Sequence, residues 1–252
     1  MRDGGGPRLL AELTWPQIAG LVDRGEELCL LPVGATEQHG PHLPVCTDSD
    51  IAEAVCHEVS RRTGVLVLPT LWAGSSQAHT AAWPGTLSLP PRLLVDVVGE
   101  LARWVRASGF SRLLLVNAHV GNASPLRVAV DELRAHGNLR IGLVNWYELT
   151  PQIAAQVTSD ATDWHAHAAE TALMLHLKPD LVDTSQIRDD PDRTAGLVLS
   201  YTVAETSAEG VTGSPSRATP EQGAALFEAV VVALAARVEA ARTETSPLPA
   251  QG

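Results

Sequence analysis

Residues 28–50, LCLLPVGATEQHGPHLPVCTDSD, join an apolar segment to the start of an amphipathic one. The apolar run Leu28–Val33 predicts a buried strand, and the pattern over Ile51–Arg62 predicts a helix. The Gly- and Pro-rich loop between them carries side chains of the types that bind metal ions, namely Glu37, His39, His42, Asp48 and Asp50. This strand–loop–helix unit indicates an α/β fold with chemistry at the end of its first strand.

Two side chains of this loop are spaced to share an ion. Glu37 and His39 point to the same side of an extended segment, because side chains alternate with period two. An Asp at the start of the following helix can close the site, and clustered His, Asp and Glu indicate metal binding. The competing interpretation is that Thr47 or Asp48 simply caps the helix. We favour a metal site.

Composition restricts the class of protein. The chain has 252 residues, 45% of them hydrophobic and 19% charged, which is typical of a globular α/β enzyme. A net charge of −11 without a basic stripe argues against nucleic acid or anionic membranes as partners. Three cysteines without zinc-like spacing indicate a reducing cytoplasm. We expect no signal peptide and no membrane span.

The chain is expected to hold a single domain over residues 9–243. Residues 1–8 predict a disordered lead, and residues 244–252 predict a polar tail. Four apolar segments separated by helical patterns indicate a mostly parallel sheet covered on both faces. These segments are Leu28–Val33, Val65–Leu68, Arg112–Val116 and Leu139–Asn145.

Polar and aromatic residues follow three of the four predicted strands. In open parallel sheets, sites lie at the carboxyl ends of the strands. Glu37 and His39 follow the first strand, whereas Asn117, His119 and Asn122 follow the third, and Trp146, Tyr147 and Glu148 follow the fourth. We therefore expect these groups to meet at one edge of the sheet. The long irregular segment over residues 70–90 is expected to be functional.

Four segments resemble, in order and spacing, the signatures of the creatininase family: LLPVGATEQHGPHLPVCTDSD, PGTLSL, LLLVNAHVGN and HAHAAETALML. The similarity extends from about Leu10 to Val230. It implies a single three-layer α/β/α domain with a two-metal hydrolytic site, assembled as a homohexamer. Carried over by position, the implied ligands are Glu37, His39, Asp48 and His119, with Asp48 as the bridging carboxylate. His165 matches the active-site histidine of the family.

Two positions depart from the family pattern. Creatininases proper carry a ligand Glu two residues after the third-strand histidine, where this chain has Gly121. We expect Glu170 to complete the second metal site instead, and to take part in catalysis. His167 stands where the family more often has Gly, and we favour a hydrogen-bonded structural role over ligation or substrate contact. These departures put creatinine itself in doubt as the substrate.

The ligand set predicts the chemistry. Carboxylate and imidazole ligands suit Zn, Mn or Fe(II), and two such ions can acidify a water and polarise a carbonyl. His165 is expected to protonate the leaving nitrogen; the alternative is that it orients a ligand carboxylate. Candidate substrate contacts are His79, Trp83, Trp146, Tyr147, Trp164 and His167. For Trp83, Trp146, Tyr147 and Trp164, packing in the core is an alternative of equal weight to substrate contact.

We therefore predict a metal-dependent amidohydrolase that cleaves a C–N bond of a small linear or cyclic amide through metal-activated water. Within the family, two alternatives are a peptidase maturing a ribosomal peptide of the mycofactocin type and a formamide hydrolase. An alternative of another class is a non-catalytic metal-binding subunit. An intact ligand set together with His165 argues against the last of these.

Overall fold

The computed structural model describes residues 6–79, 82–135 and 139–248. Its centre is a five-stranded sheet in the order β1-β3-β2-β4-β5, with every neighbouring pair parallel. The strands are β1 (Arg8–Leu9), β2 (Leu28–Val33), β3 (Leu66–Val67), β4 (Arg112–Asn117) and β5 (Arg140–Asn145). The helices over the described residues are α1 (Trp15–Asp23), α2 (Thr47–Thr63), α3 (Pro91–Ala107), α4 (Ala123–Ala135), α5 (Pro151–Val157), α6 (Ala168–Leu177), α7 (Val203–Thr206) and α8 (Pro220–Thr243).

Helices cover both faces of the sheet, which confirms the predicted three-layer α/β/α class. Alternate residues of β2 enter opposite cores: Leu28 and Leu30 face α2, α5, α6 and α8. Cys29 and Leu31 face α1, α3 and α4. All six residues of β2 are buried, because a central parallel strand has apolar layers on both sides. No helix of the described residues is long and apolar enough to cross a membrane.

Strand β1 was not predicted. It includes Arg8, the last residue of the segment that was expected to be disordered, so the prediction is wrong at that residue. Arg8 pairs with Leu66, and its backbone N–H donates to Ser60 Oγ at 2.8 Å. Its guanidinium lies 3.1 Å from Glu26. A two-residue edge strand has no period to read in a sequence, so the pattern missed it. Residues 1–5 of the lead and 249–252 of the tail lie outside the described residues.

Helix α2 begins at Thr47, four residues before the predicted start at Ile51. The N-cap is Cys46, which makes no side-chain cap bond, and Thr47 Oγ1 donates to Pro44 O. The alternative that Thr47 or Asp48 caps this helix is therefore wrong. Asp48 instead lies in the first turn, fully buried. The other end is as expected, with Gly64 at φ 70° after the last turn.

Candidate metal centre

The site lies at the carboxyl edge of the sheet, where the sequence placed it. Glu37 and His39 follow β2, and His119 follows β4. Glu170 lies in the first turn of α6. His165 is fixed by two backbone hydrogen bonds with Thr212, of 3.1 and 2.7 Å.

Asp48 lies between two histidines and presents one oxygen to each. Its Oδ1 is 3.5 Å from His39 Nε2, and its Oδ2 is 3.4 Å from His119 Nδ1. His39 Nε2 is also 3.6 Å from Glu170 Oε1, while His119 Nε2 is 3.4 Å from Glu37 Oε2. This arrangement is that of a carboxylate able to bridge two ions.

The ring nitrogen on the far side of each of these two histidines contacts a backbone carbonyl. His39 Nδ1 lies 3.2 Å from Glu37 O, and His119 Nε2 lies 3.0 Å from Ser75 O. An N–H that donates to a carbonyl fixes the tautomer and leaves the other nitrogen free for a metal. The nitrogens left free, His39 Nε2 and His119 Nδ1, are the two that face Asp48.

Three carboxylates are buried together here, and no Lys or Arg of the described residues pairs with them. Glu37, Asp48 and Glu170 are 1%, 1% and 2% exposed. Within the described part of the chain, their ion-pair partners are all histidines. Buried carboxylates need a cation or a proton, because burial disfavours the charged form.

Among the described residues, several atoms that line the space between these side chains have no hydrogen-bond partner: Glu37 Oε2, His39 Nε2 and Asp48 Oδ2. Ligand atoms also group within 4.8 Å of one another, in the sets Glu37–His39–Asp48, His39–His165–Glu170 and Glu37–His79–His165. Divalent cations satisfy such convergent O and N donors, so the residues present fit a metal centre.

Charge and burial set the pKa values in the site. Burial raises the pKa of Glu37 to about 7, with Asp48 adding to the effect and His119 opposing it. Burial alone would also raise the pKa of Asp48 and Glu170, but the neighbouring histidines hold both values below their usual range. Burial together with the charge of other histidines lowers the pKa of His165 well below normal and that of His79 to about 3. Both of these imidazoles are therefore neutral near pH 7.

His167 supports Glu170 from behind, in the structural role favoured from the sequence. Its ring is fully buried; Nδ1 lies 3.2 Å from Glu170 Oε2, and the Nε2–H donates to Val157 O at 3.0 Å. The ring of Trp164 packs 4.5 Å from that of His167.

The other candidate substrate residues separate into two groups. His79 and Trp164 line the cleft above the site, which has a volume of about 180 Å³. Trp146 is 1% exposed and Tyr147 packs beside it, both in the core under α5, α6 and α8. Trp83 is half-buried and is not among the cleft residues within the described chain. Trp146 and Tyr147 thus occupy the position of the core-packing alternative, and Trp83 matches neither alternative.

Several cleft residues had no signal in the sequence. Tyr201, Val203 and Thr206 belong to a turn-rich region without periodicity, and they reach the cleft only through the tertiary fold. Ser75 and Ser76 belong to the long irregular segment that was expected to be functional. Asn122 joins that segment to the β2 loop, accepting from Ser75 N–H at 2.8 Å and donating to Gly34 O at 2.9 Å.

Gly121 leaves no room for a side chain. A Cβ placed there would lie 2.4 Å from both Ser75 O and His119 Nε2. The second carboxylate beside His39, in addition to Asp48, is that of Glu170. The structure thus brings Glu170 to the place expected of it.

Comparisons with known proteins agree with this geometry. The family described as creatininase, creatinine amidohydrolase, matches residues 11–238. Creatinine amidohydrolase of Pseudomonas putida is 33% identical, with 94% of this chain and 97% of the relative covered. The mycofactocin precursor peptide peptidase of Mycobacterium ulcerans is 34% identical, with 86% and 82% covered.

Solved structures give the same result. A creatininase described with Mn is 29% identical with a TM-score of 0.81, covering 94% of this chain and all of that one. A creatininase variant of the Zn–Zn type is 30% identical with a TM-score of 0.79, covering 94% and 98%. The chain is thus a metal-dependent amidohydrolase of the creatininase family.

Proposed function

We propose that this protein hydrolyses the C–N bond of a small neutral or cationic amide, with Glu37, His39, Asp48, His119 and Glu170 holding two divalent ions. The observation that carries the proposal is the set of three buried carboxylates whose partners within the described residues are all histidines. Bound Zn, Mn or Fe(II) would supply Lewis acidity and a more acidic water. The protein residues then orient the amide and move protons.

His165 is placed to carry the proton. Its Nδ1 faces the site, 3.5 Å from Glu37 Oε1. On the other side, its Nε2 lies 2.8 Å from the backbone O of Gln38 and 2.9 Å from the side-chain Nε2 of the same residue. If His165 Nε2 carries the proton, the backbone O of Gln38 accepts it. If Nε2 is bare, the side-chain amide of Gln38 can donate to it. A neutral His165 accepts a proton at Nδ1 as water attacks the carbonyl, and delivers it to the nitrogen as the C–N bond breaks.

Charge in the cleft supports a substrate without a carboxylate. The described residues that line it include Glu37, Asp48, Asp163 and Glu170, and no Lys or Arg. Two bound ions would offset the charge of Glu37, Asp48 and Glu170, so a substrate anion placed away from the ions would meet Asp163, without a guanidinium or ammonium to pair with it. A neutral or cationic amide avoids this repulsion.

A peptidase is the second candidate. The relatives named mycofactocin precursor peptide peptidase support it, as does an apolar strip beside the cleft. The strip consists of Leu197, Val198 and Leu199, of which Val198 is 96% exposed, and it leads to Tyr201 at the cleft wall. Such a surface suits the apolar side chains of an extended peptide.

The experiment is a substrate screen on metal-loaded protein with His165→Ala in parallel. Creatinine, other cyclic amides, linear formamides and short apolar peptides are supplied at equal concentration, and release of amine is measured. We expect small amides to be cleaved, and His165→Ala to retain its metal while turnover falls by roughly 10²-fold or more. Cleavage of peptides alone would replace the first candidate with the second. Loss of metal from His165→Ala would make His165 a ligand.

We further propose a reducing cytoplasm and a homohexameric assembly. Cys29, Cys46 and Cys56 are free thiols, which fits a reducing compartment. The family resemblance supports the hexamer. Light scattering on the purified protein tests it against the 26.7 kDa chain mass.

A further inference from the structure

Gln38 lies between two of the proposed ligands in the sequence, yet its side chain turns to the other histidines of the site. It is 4% exposed. Its side-chain Nε2 lies 3.1 Å from His79 Nδ1 and 2.9 Å from His165 Nε2. One buried amide thus contacts two of the three histidines that line the cleft, His79 and His165 but not His119.

The orientation of this amide is fixed by the main chain. The backbone N–H of Gly40 donates to Gln38 Oε1 at 2.9 Å. The reversed amide would place its NH₂ group against that N–H, two donors facing one another. Gly210 packs against the same oxygen, and a Cβ there would lie 2.3 Å from it. The amide therefore turns its NH₂ group, a donor, towards His79 Nδ1, whereas His165 Nε2 has the backbone O of Gln38 at 2.8 Å as the acceptor for its own proton.

The donor decides which nitrogen of His79 carries the proton. A neutral imidazole has one N–H and one bare nitrogen. Since His79 Nδ1 receives an N–H from Gln38, it is the bare nitrogen, and the proton is on Nε2. His79 Nε2 is the atom that faces the site, 3.7 Å from Glu37 Oε2. A nitrogen that carries a proton does not bind a metal.

We propose that Gln38 is a positioning residue that holds His79 with its proton on Nε2, so that His79 donates a hydrogen bond to the substrate instead of binding metal. The inference rests on the proposed function, because the acceptor is the amide oxygen on which charge develops during hydrolysis. A fixed donor at that place stabilises the charge. The grouping of Glu37, His79 and His165 within ligand distance would otherwise suggest a further metal position; the amide of Gln38 excludes it.

The test is a nitrogen NMR measurement that does not depend on finding the substrate. Zinc-loaded protein labelled with ¹⁵N-histidine is compared with Gln38→Glu, and His79→Ala assigns the signals. We expect the Nε2–H form of His79 in the wild type. In Gln38→Glu the carboxylate accepts from Nδ1–H, so the tautomer should reverse. Gln17→Glu, the same change at an exposed helix start, should leave the spectrum unchanged.

Metal content provides a second measurement if Gln38→Glu does not fold. Zinc per chain should be unchanged in His79→Ala, with an affinity within about threefold of the wild type, well short of the 10- to 100-fold loss typical even of outer-shell partners. A wild-type His79 with its proton on Nδ1, or loss of an ion from His79→Ala, would overturn the inference. If zinc binds and the tautomer is as expected but no amide is cleaved, the proposed function fails and the positioning role stands.

Discussion

His167 Nδ1 lies 3.2 Å from Glu170 Oε2, and the opposite oxygen of the same carboxylate lies 3.6 Å from His39 Nε2. One carboxylate oxygen of Glu170 therefore faces the candidate metal site, and the other faces His167, a buried residue that supports it. The support is anchored in turn, because His167 Nε2–H donates to Val157 O. The orientation of this carboxylate thus depends on a residue that does not line the cleft.

The first prediction concerns that support. His167→Ala should weaken zinc binding by about 10- to 100-fold, because an unsupported ligand must be ordered when the ion binds. Competition with a chelator measures the affinity. His176→Ala, on the same helix but exposed, is the matched control and should bind as the wild type does. Equal affinity in both variants would show that Glu170 needs no support.

The second prediction separates two aspartates of one helix turn. Asp48→Asn should remove most of the bound metal, because each oxygen of Asp48 faces a different histidine. Asp50→Asn removes an ion pair with Lys178 at the surface and should retain the full metal content. Elemental analysis of protein purified without chelator gives the result. Full metal content in Asp48→Asn would remove the bridging role.

The third prediction tests the crowding at Gly121. Gly121→Ala places a methyl group against Ser75 O and His119, so it should lower both the unfolding free energy, by about 1–3 kcal/mol, and the metal affinity. Gly99→Ala in α3 has open space around its Cβ and should stabilise by roughly 0.5–1 kcal/mol. Urea unfolding of the two metal-free variants compares them directly. A neutral Gly121→Ala would mean that the loop relaxes freely.

The fourth prediction is a pH dependence of the metal-free protein. The pKa of Glu37 is raised from 4.5 to about 7 by burial, so the folded state holds a proton that the unfolded state has released. Stability should therefore fall as pH rises from about 4.5 to 7, by up to about 3 kcal/mol from this group. Glu37→Gln should lack this contribution, as urea unfolding at pH 5 and pH 8 would reveal. An equal loss of stability between pH 5 and pH 8 in both proteins would mean that a group other than Glu37 causes it. Metal should reverse the trend, because it binds the ionised carboxylate.

The sequence predicted most of the sheet and the edge that carries the site. The apolar runs of β2, β4 and β5 are local signals, and parallel topology places their carboxyl ends together. The sequence could not predict the cleft wall at Tyr201 or the contact of Gln38 with His79, since both depend on packing between segments far apart in the chain. For Trp146, the sequence did not distinguish a position in the cleft wall from a position in the core. Its indole is buried, in a 3-10 turn over Trp146–Glu148 that directly follows β5.

Ala166 separates His165 from His167 and is a buried residue with a positive φ, 49°. Because of this left-handed step, His165 contacts Gln38 across the cleft, whereas His167 contacts Val157 and Glu170 on the core side. The backbone torsion of this one residue thus orients both the proposed proton carrier, His165, and the histidine that contacts Glu170, His167. A β-branched residue at position 166 resists this torsion, so it would displace both His165 and His167.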